Sequence, residues 1–157
     1  MNFLLLSIVS VLFLSGCSLP NQSPKTVPTA TKSEVTTLEA RINLGNTCYD
    51  ANQYQKAIDA YSKALEIDPK NPDVITDQGS MYYQLGDYEN AFKKYTLANK
   101  IDPMHLNSLF NLGVLYLVAY KNEDSAIKTW NKIIERSPNS EKAKQAQSEI
   151  EKLKLAK

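Results

Sequence analysis

The chain has 157 residues, of which 18 are Lys or Arg, 17 are Asp or Glu and one is His, so its formal net charge is +1. A near-neutral charge with no block of one sign excludes a general attraction to nucleic acid, and the length favours a single domain. Five glycines and one histidine leave little material for a phosphate-binding loop or for histidine-based catalysis.

The N-terminal end is the most apolar part of the chain. Eleven of the first 16 residues are apolar, and no charged residue precedes Lys25. The apolar run over residues 3–14 is shorter than the roughly 20 residues that a bilayer-spanning helix needs. Its length is typical of the core of a signal peptide.

The run ends in the sequence LSGC at residues 14–17, which resembles the lipobox of bacterial lipoproteins. In that family the cysteine thiol receives a diacylglyceryl group before cleavage makes the cysteine the new N-terminus. The resemblance implies that residues 1–16 are a cleaved signal peptide and that Cys17 carries fatty acyl chains such as palmitate. Residues 1–2 depart from the pattern because they include no Lys or Arg. An ordinary signal peptide, or an uncleaved anchor with an incidental cysteine, therefore stays an alternative.

A lipid on Cys17 would decide where the protein is held. Two or more buried acyl chains anchor a protein stably to a membrane. Ser18, rather than Asp, follows the cysteine, and in Gram-negative lipoproteins this implies export towards the outer membrane. We therefore expect an extracytoplasmic protein of the cell envelope, on the outer membrane if the host is Gram-negative. Lipidation would leave Cys48 without an intramolecular disulfide partner.

A polar, proline-containing segment follows the predicted lipidation site. Residues 17–32 include three prolines among Ser, Thr, Asn and Gln, and such a composition buries too little apolar area to fold. We interpret this segment as a flexible tether. Thr31 and Glu34 form a Thr-x-x-Glu pattern that favours a helix start, so the folded domain is predicted over residues 33–157.

A unit of 34 residues recurs three times in this domain. Glycine, alanine, an aromatic residue and proline each return at this spacing, with one extra residue between Tyr116 and Ala126. The recurring residues are Gly45, Gly79 and Gly113; Ala57, Ala91 and Ala126; Tyr61, Tyr95 and Trp130; and Pro69, Pro103 and Pro138. The pattern resembles the tetratricopeptide repeat (TPR), a helix–turn–helix unit of 34 residues. The resemblance implies an all-α TPR solenoid with repeats at residues 38–71, 72–105 and 106–140.

The recurring residues fit the physics of stacked helical hairpins. Glycine at the eighth repeat position allows the second helix to approach closely, and the aromatic residue at position 24 is expected to fill the gap between successive hairpins. Proline ends the second helix because it cannot continue it. After the repeats, residues 141–156 place four apolar residues on one helix face, which predicts a capping helix for the last hairpin. A coiled-coil seam for a partner is the alternative reading of this segment.

The sequence nominates no catalytic group. His105 falls in the loop between the second and third repeats, where we expect a solvated side chain, and Cys48 occupies a core position of the first helix. No pair of Cys or His residues has metal-ligand spacing. We therefore expect no enzyme activity, no cofactor, no metal and no small-molecule substrate; an enzyme with an unrecognised site is the alternative.

In the TPR family, the first helix of each repeat lines a concave surface at repeat positions 2, 5, 6, 9, 12 and 13. None of the 18 corresponding residues here is Lys or Arg. They are Glu39, Ile42, Asn43, Asn46, Tyr49 and Asp50; Asp73, Thr76, Asp77, Ser80, Tyr83 and Gln84; and Asn107, Phe110, Asn111, Val114, Leu117 and Val118. TPR domains that grip a C-terminal carboxylate use Lys, Asn, Asn, Lys and Arg at five of these positions. Only Asn46 matches that set, so no carboxylate clamp is predicted.

From this surface we select eight residues as candidate peptide-binding residues. They are Asn46, Tyr49, Asp77, Tyr83, Phe110, Asn111, Val114 and Leu117. The third-repeat members lie in residues 106–120, where eleven of fifteen residues are apolar. A helix that is apolar all round is usually buried, so this helix is either packed between its neighbours or forms a groove for an apolar partner segment.

The sequence thus favours a lipid-anchored adaptor that binds an unknown protein or peptide and has no nucleic-acid partner. The domain also resembles the TPR modules of cytochrome c maturation accessory proteins. That likeness lies in the three repeats, the terminal helix and residues 126–130 followed by Pro138. It implies, as an alternative, a protein that holds an unfolded apocytochrome segment.

Overall fold

The structure, a computed structural model, describes residues 37–156. The predicted signal peptide, the lipidation site at Cys17, the tether and the helix start at Thr31 lie outside the described residues. Within the described part the chain forms seven α-helices and no strand. They are α1 (Leu38–Asp50), α2 (Tyr54–Ile67), α3 (Pro72–Gln84), α4 (Tyr88–Ile101), α5 (Leu106–Val118), α6 (Glu123–Arg136) and α7 (Glu141–Leu155).

The helices form three antiparallel hairpins followed by a single helix. The hairpins are α1–α2, α3–α4 and α5–α6, and each packs against the next along the chain, with α7 packed against α6 and α5. The predicted all-α solenoid is therefore confirmed. Contacts of this kind join neighbours only, as in other repeat proteins.

Local sequence explains where most helices begin. Thr37 caps α1 by accepting a hydrogen bond from the Ala40 backbone N–H at 3.2 Å. At α3, Asn71 caps the helix in the same way and Pro72 occupies its first turn, where the missing N–H of proline costs nothing. Ser140 caps α7.

The turns within the hairpins depend on a residue with positive φ. Asn52 (φ 56°) and Gly86 (φ 76°) hold equivalent positions after α1 and α3. In both turns two backbone hydrogen bonds close the helix end; after α3 they run from Gly86 N to Tyr83 O (3.0 Å) and from Asp87 N to Tyr82 O (2.9 Å). This is the Schellman pattern. The third turn contains the extra residue of that repeat, and there Lys121 has φ 53°.

The glycine at repeat position 8 lies against the aromatic residue at position 24 of the same hairpin. A Cβ on Gly79 would come within 2.8 Å of the Tyr95 ring, which is closer than real side chains approach. Tyr61, the equivalent of Tyr95 in the first repeat, also joins a core cluster with Val74 and Met81 of the next repeat. The aromatic residue therefore closes its own hairpin and contacts the following one, as the spacing predicts.

The terminal helix covers the last hairpin with its apolar face. Ala143, Ala146 and Ile150 are buried, and Leu153 packs against the same cluster, which contains Trp130. The opposite faces carry Lys and Glu. These contacts agree with a capping helix; the coiled-coil alternative would need this face to be free.

The expectation of a solvated His105 is wrong. Its side chain is only 10% exposed, and its Nε2 donates to Asp73 Oδ1 at 2.9 Å. His105 is also the N-cap of α5, because its Nδ1 accepts from the Ser108 backbone N–H at 3.3 Å. Since Nδ1 accepts, the hydrogen-bond pattern assigns the proton of the neutral ring to Nε2. A helix start buried between two repeats needs such an acceptor, and histidine provides it while linking α3 to α5.

Candidate functional site

Two adjoining cavities lie along the first helices of the three repeats. The first has a volume of about 320 Å³ and lies between α1 and α3. It is lined by Asn46, Tyr49, Asp50, Tyr61, Asp77, Ser80 and Met81. The second, about 210 Å³, lies between α3 and α5. It is lined by Tyr49, Ser80, Tyr83, Gln84, Tyr95, Asn111 and Val114. Because the cavities share Tyr49 and Ser80, we treat them as one surface, the α1/α3/α5 groove.

Six of the eight candidate residues line this groove. They are Asn46, Tyr49, Asp77, Tyr83, Asn111 and Val114. The other two, Phe110 and Leu117, line neither cavity and pack instead against the core cluster around Trp130. A role in binding stays a prediction for all eight.

Phe110 is held mainly by its own repeat. Its ring lies 6.0 Å from the Trp130 ring, centroid to centroid, and Lys142 Nζ of α7 lies 4.8 Å above it. The Trp130 indole N–H also donates to the Phe110 carbonyl oxygen at 3.1 Å. The half-buried ring therefore contributes to packing between α5, α6 and α7.

Helix α5 was predicted either to be packed between its neighbours or to form an apolar groove, and each prediction describes a different part of the helix. Leu109 and Leu115 are buried, which fits a helix packed between its neighbours. Val114 is half-buried and reaches the groove, and Val118 at the helix end is 40% exposed. Most of α5 is core, and a narrow apolar strip of it borders the groove.

Hydroxyl groups from the second helices form the floor of the groove. Tyr61 donates to Asn46 Oδ1 at 2.7 Å, and Tyr95 donates to Ser80 Oγ at 3.3 Å. Asn111 Nδ2 also donates to Ser80 Oγ at 3.3 Å, so the second and third repeats are linked here. Neither floor tyrosine is among the residues predicted for this surface from the sequence. A buried tyrosine hydroxyl normally requires a partner, and here position 9 of the first two repeats, Asn46 and Ser80, provides it.

The floor tyrosines stay protonated at neutral pH. Burial raises the pKa of Tyr95 to about 12. The pKa of Tyr61 is also raised, first by burial and then by the nearby negative charges of Asp77 and Asp50. Both hydroxyls therefore act as hydrogen-bond donors to the floor.

Asp77 differs from the other polar residues of the groove because its carboxylate makes no hydrogen bond to any residue in 37–156. The side chain is half-buried in the wall of the first cavity. Burial raises its pKa to about 6; the negative charge of Asp73 adds to this rise, and His105 opposes it. A carboxylate that loses solvent without gaining a donor is destabilised in its charged form.

The groove carries negative charge at its first two repeats. Asp50 and Asp77 line the first cavity, and none of the 18 predicted concave positions is Lys or Arg. At the third-repeat end, Lys142 of α7 lies above the Phe110 ring. The electrostatic character therefore changes from acidic at α1 and α3 to apolar at α5.

Within residues 37–156 no three His, Cys, Asp or Glu side chains are grouped so that they could hold a metal ion. In the same part of the chain, no helix combines the length and the apolar character needed to cross a bilayer. Cys48, which is 9% exposed, is a free thiol in the core cluster of the first hairpin.

Family models match the chain in four overlapping stretches. Models described as "Tetratricopeptide repeat" match residues 38–71, 60–93 and 107–140, and one described as "TPR repeat" matches residues 79–117. Together with the helix order, these matches decide the family. The chain belongs to the tetratricopeptide repeat family.

Solved TPR structures resemble this TPR domain closely. The first TPR domain of Spaghetti (RPAP3), solved with the HSP90 peptide SRMEEVD bound, is 25% identical with a TM-score of 0.66, and the match covers 76% of this chain and 91% of that one. The Sgt2 TPR domain from Aspergillus fumigatus is 27% identical with a TM-score of 0.66, over 76% of this chain and 80% of that one.

A tetratricopeptide repeat protein from Parabacteroides merdae is also 27% identical, with a TM-score of 0.64, over 76% of this chain and 46% of that one. No curated protein matches the chain. The resemblance to cytochrome c maturation proteins is therefore tested by none of these matches and stays a prediction.

Proposed function

We propose that this TPR protein is a non-enzymatic interaction module that is anchored to a membrane of the cell envelope and binds a peptide or protein segment in the α1/α3/α5 groove. The observation that carries the proposal is the groove itself. It is a polar cleft formed jointly by three repeats, and several of its hydrogen-bonding groups are unused.

The unused groups suit an extended or helical peptide. The side-chain N–H groups of Asn46 donate to no residue in 37–156, since only Oδ1 of that side chain is engaged. The Asp77 carboxylate accepts from none of these residues either. A bound backbone or side chain would pair with both groups, and the half-buried carboxylate of Asp77 gains more from such a partner than the exposed amide of Asn46.

A solved relative supports peptide binding as the function of such a domain. The RPAP3 domain, at 25% identity over 76% of this chain, was solved with a peptide bound. We carry over only the general mode, a peptide held by a TPR domain, because this chain lacks the Lys and Arg residues with which a carboxylate clamp would hold an acidic C-terminus.

The proposed anchor is the lipid predicted on Cys17, which would hold the domain on the extracytoplasmic side of the membrane. The support is the apolar leader and the LSGC sequence at residues 14–17. The polar residues 17–32 would then separate the domain from the bilayer, so that the groove stays open to a partner.

A site-specific crosslinking experiment tests the groove. A photoreactive phenylalanine analogue in place of Tyr83, in the full chain in its own membrane, should give a covalent product with a second protein. The same analogue in place of Tyr120 is the matched control, because Tyr120 is 46% exposed and lines neither cavity of the groove. Equal products from both positions, or no product from position 83, would contradict the proposed function.

A further inference from the structure

We propose that the segment bound in the α1/α3/α5 groove carries a Lys or Arg side chain that pairs with Asp77, next to an apolar residue that contacts α5. The inference rests on the proposed function and specifies the partner's chemistry. The partner would therefore be a protein with a basic and apolar segment.

Charge complementarity is the first argument. Asp77 lies in the wall of the 320 Å³ cavity, with Asp50 lining the same cavity. The Asp77 carboxylate has no donor among residues 37–156. Since none of the 18 concave positions is Lys or Arg, the cation that would complete this site has to come from the occupant.

The neighbours of Asp77 suit the shape of a basic side chain. Tyr49 lines both cavities and is 44% exposed, and the half-buried Tyr83 lines the second. Lys and Arg place their apolar stems along such surfaces while the charged head reaches a carboxylate, and aromatic faces attract the cation further. The side-chain N–H groups of Asn46 can donate to a backbone carbonyl of the same segment.

The apolar end of the groove defines the second residue of the segment. Val114 lines the second cavity, and Val118, about one turn further along α5, is 40% exposed. An apolar side chain seated here would cover the strip of α5 that the terminal helix leaves uncovered.

An acidic peptide fits this groove poorly. The peptide SRMEEVD bound by the RPAP3 domain contains one arginine beside three acidic residues, two glutamates and an aspartate. In the present groove, its carboxylates would lie near Asp77 and Asp50 with no Lys or Arg at any of the 18 concave positions, and like charges brought together out of water repel strongly.

The energetics of Asp77 agree with a ligand-binding role. Burial raises its pKa to about 6, so at neutral pH the charged carboxylate lowers the stability of the folded protein. A bound cation would offset this loss of stability. Removing the charge by mutation should stabilise the free protein and weaken binding. A residue that only supported the fold would show the opposite effect on stability.

Selection from displayed random peptides tests the partner's chemistry without knowing the partner. The full chain, purified in detergent, is used to enrich short peptides. Enrichment of peptides that combine Lys or Arg with an apolar residue is the expected result. Enrichment of peptides without a basic residue would overturn this inference and leave the proposed function intact, whereas failure to enrich any peptide would overturn both.

A pair of matched variants then assigns the contact. For an enriched basic peptide, Asp77→Asn should raise the Kd at least about tenfold, because one partner of a desolvated charge pair is lost, and should raise the melting temperature. Asp59→Asn, the same change on the exposed surface of α2, should leave the Kd unchanged. Equal affinity for wild type and Asp77→Asn would overturn the assignment.

The chain's own N-terminal segment is the competing occupant. Residues 18–32 contain Lys25 and Lys32. If an enriched peptide binds at least about tenfold more tightly after both are replaced by Gln, the groove is filled by the protein itself, and the proposal of a separate partner is overturned. Unchanged affinity in that double variant supports a partner in trans.

Discussion

Single polar residues decide the character of the groove. His105 and Asp77 both face the region between α3 and its neighbours, but only His105 is fully engaged, with Asp73 at 2.9 Å and the Ser108 backbone N–H at 3.3 Å. The Asp77 carboxylate instead faces the first cavity and has no hydrogen-bond donor among residues 37–156. A buried polar group with partners stabilises the structure, whereas one without them costs free energy until a ligand arrives.

The first prediction concerns the pH dependence of stability. Asp77 has a folded-state pKa of about 6, above its ordinary value of 3.8. Between these values the folded state binds more protons than the unfolded one, so Asp77 makes stability fall as pH rises from about 4 to about 6. Above that range the loss is constant, at about 3 kcal/mol, since the pKa of Asp77 is raised by about two units and one pKa unit corresponds to about 1.4 kcal/mol.

Asp77→Asn should therefore stabilise the protein by about 3 kcal/mol at pH 7 or above, and the gain should shrink as the pH falls from about 6 to about 4. Urea unfolding midpoints across this pH range measure it, with Asp59→Asn as a surface control. If the urea midpoints of wild type and Asp77→Asn changed with pH in the same way, the pKa of Asp77 would not be raised in the folded state, which would contradict this prediction.

At the scale of helices, α5 combines packing with a contribution to the groove. Its glycine, Gly113, lets the Trp130 indole lie directly on the helix, and that indole donates to the Phe110 carbonyl. The apolar residues of α5 are thus used chiefly inside the repeat. Only Val114 among its apolar residues lines a cavity of the groove.

The second prediction follows from the position of Phe110. Phe110→Ala should lower the free energy of unfolding by about 2–3 kcal/mol, less than for a fully buried aromatic residue, because the ring packs on Trp130 while remaining half-buried. Urea denaturation followed by helical circular dichroism measures the loss. Tyr83→Ala is the matched groove variant and should reduce peptide binding with a smaller loss of stability. An unchanged midpoint for Phe110→Ala would place this ring among the binding residues after all.

At the scale of the whole molecule, the groove exists only because three hairpins stack in register. Tyr49 of α1, Ser80 of α3 and Asn111 of α5 come from successive repeats and line adjoining cavities. The terminal helix covers the exposed face of the last hairpin with Ala143, Ala146 and Ile150. A stack of repeats without such a cap would leave Trp130 and its neighbours in contact with water.

The third prediction concerns the anchor. Cys17→Ala should move the protein from the membrane to the soluble fraction, because each buried methylene of a lipid chain contributes about 0.8 kcal/mol to membrane binding. Fractionation and incorporation of labelled palmitate measure this. Cys48→Ala is the control and should stay with the membrane, since Cys48 lies in the core of the first hairpin. Membrane association of Cys17→Ala equal to wild type would contradict lipid anchoring.

The sequence alone determined the helical hairpins. Glycine, alanine, aromatic residue and proline at a 34-residue spacing are local requirements of a helix–turn–helix unit, and the structure meets each of them where the spacing indicates. Six of the candidate residues also line the α1/α3/α5 groove, because repeat position sets which face of a helix a residue occupies.

Only the tertiary structure decided which polar residues are satisfied and which apolar ones are core. The sequence places His105 in a loop, but in the structure its side chain is buried against Asp73 of α3. The sequence predicts Phe110 in the groove, but its ring packs against Trp130 and Lys142. The sequence also does not show that the Asp77 carboxylate lacks a hydrogen-bond donor among residues 37–156. Helix periodicity is set by neighbours in sequence. Burial and hydrogen bonding instead depend on residues about 20 to 32 positions away, such as Trp130 for Phe110 and Asp73 for His105. A local sequence pattern does not show that these distant residues come into contact.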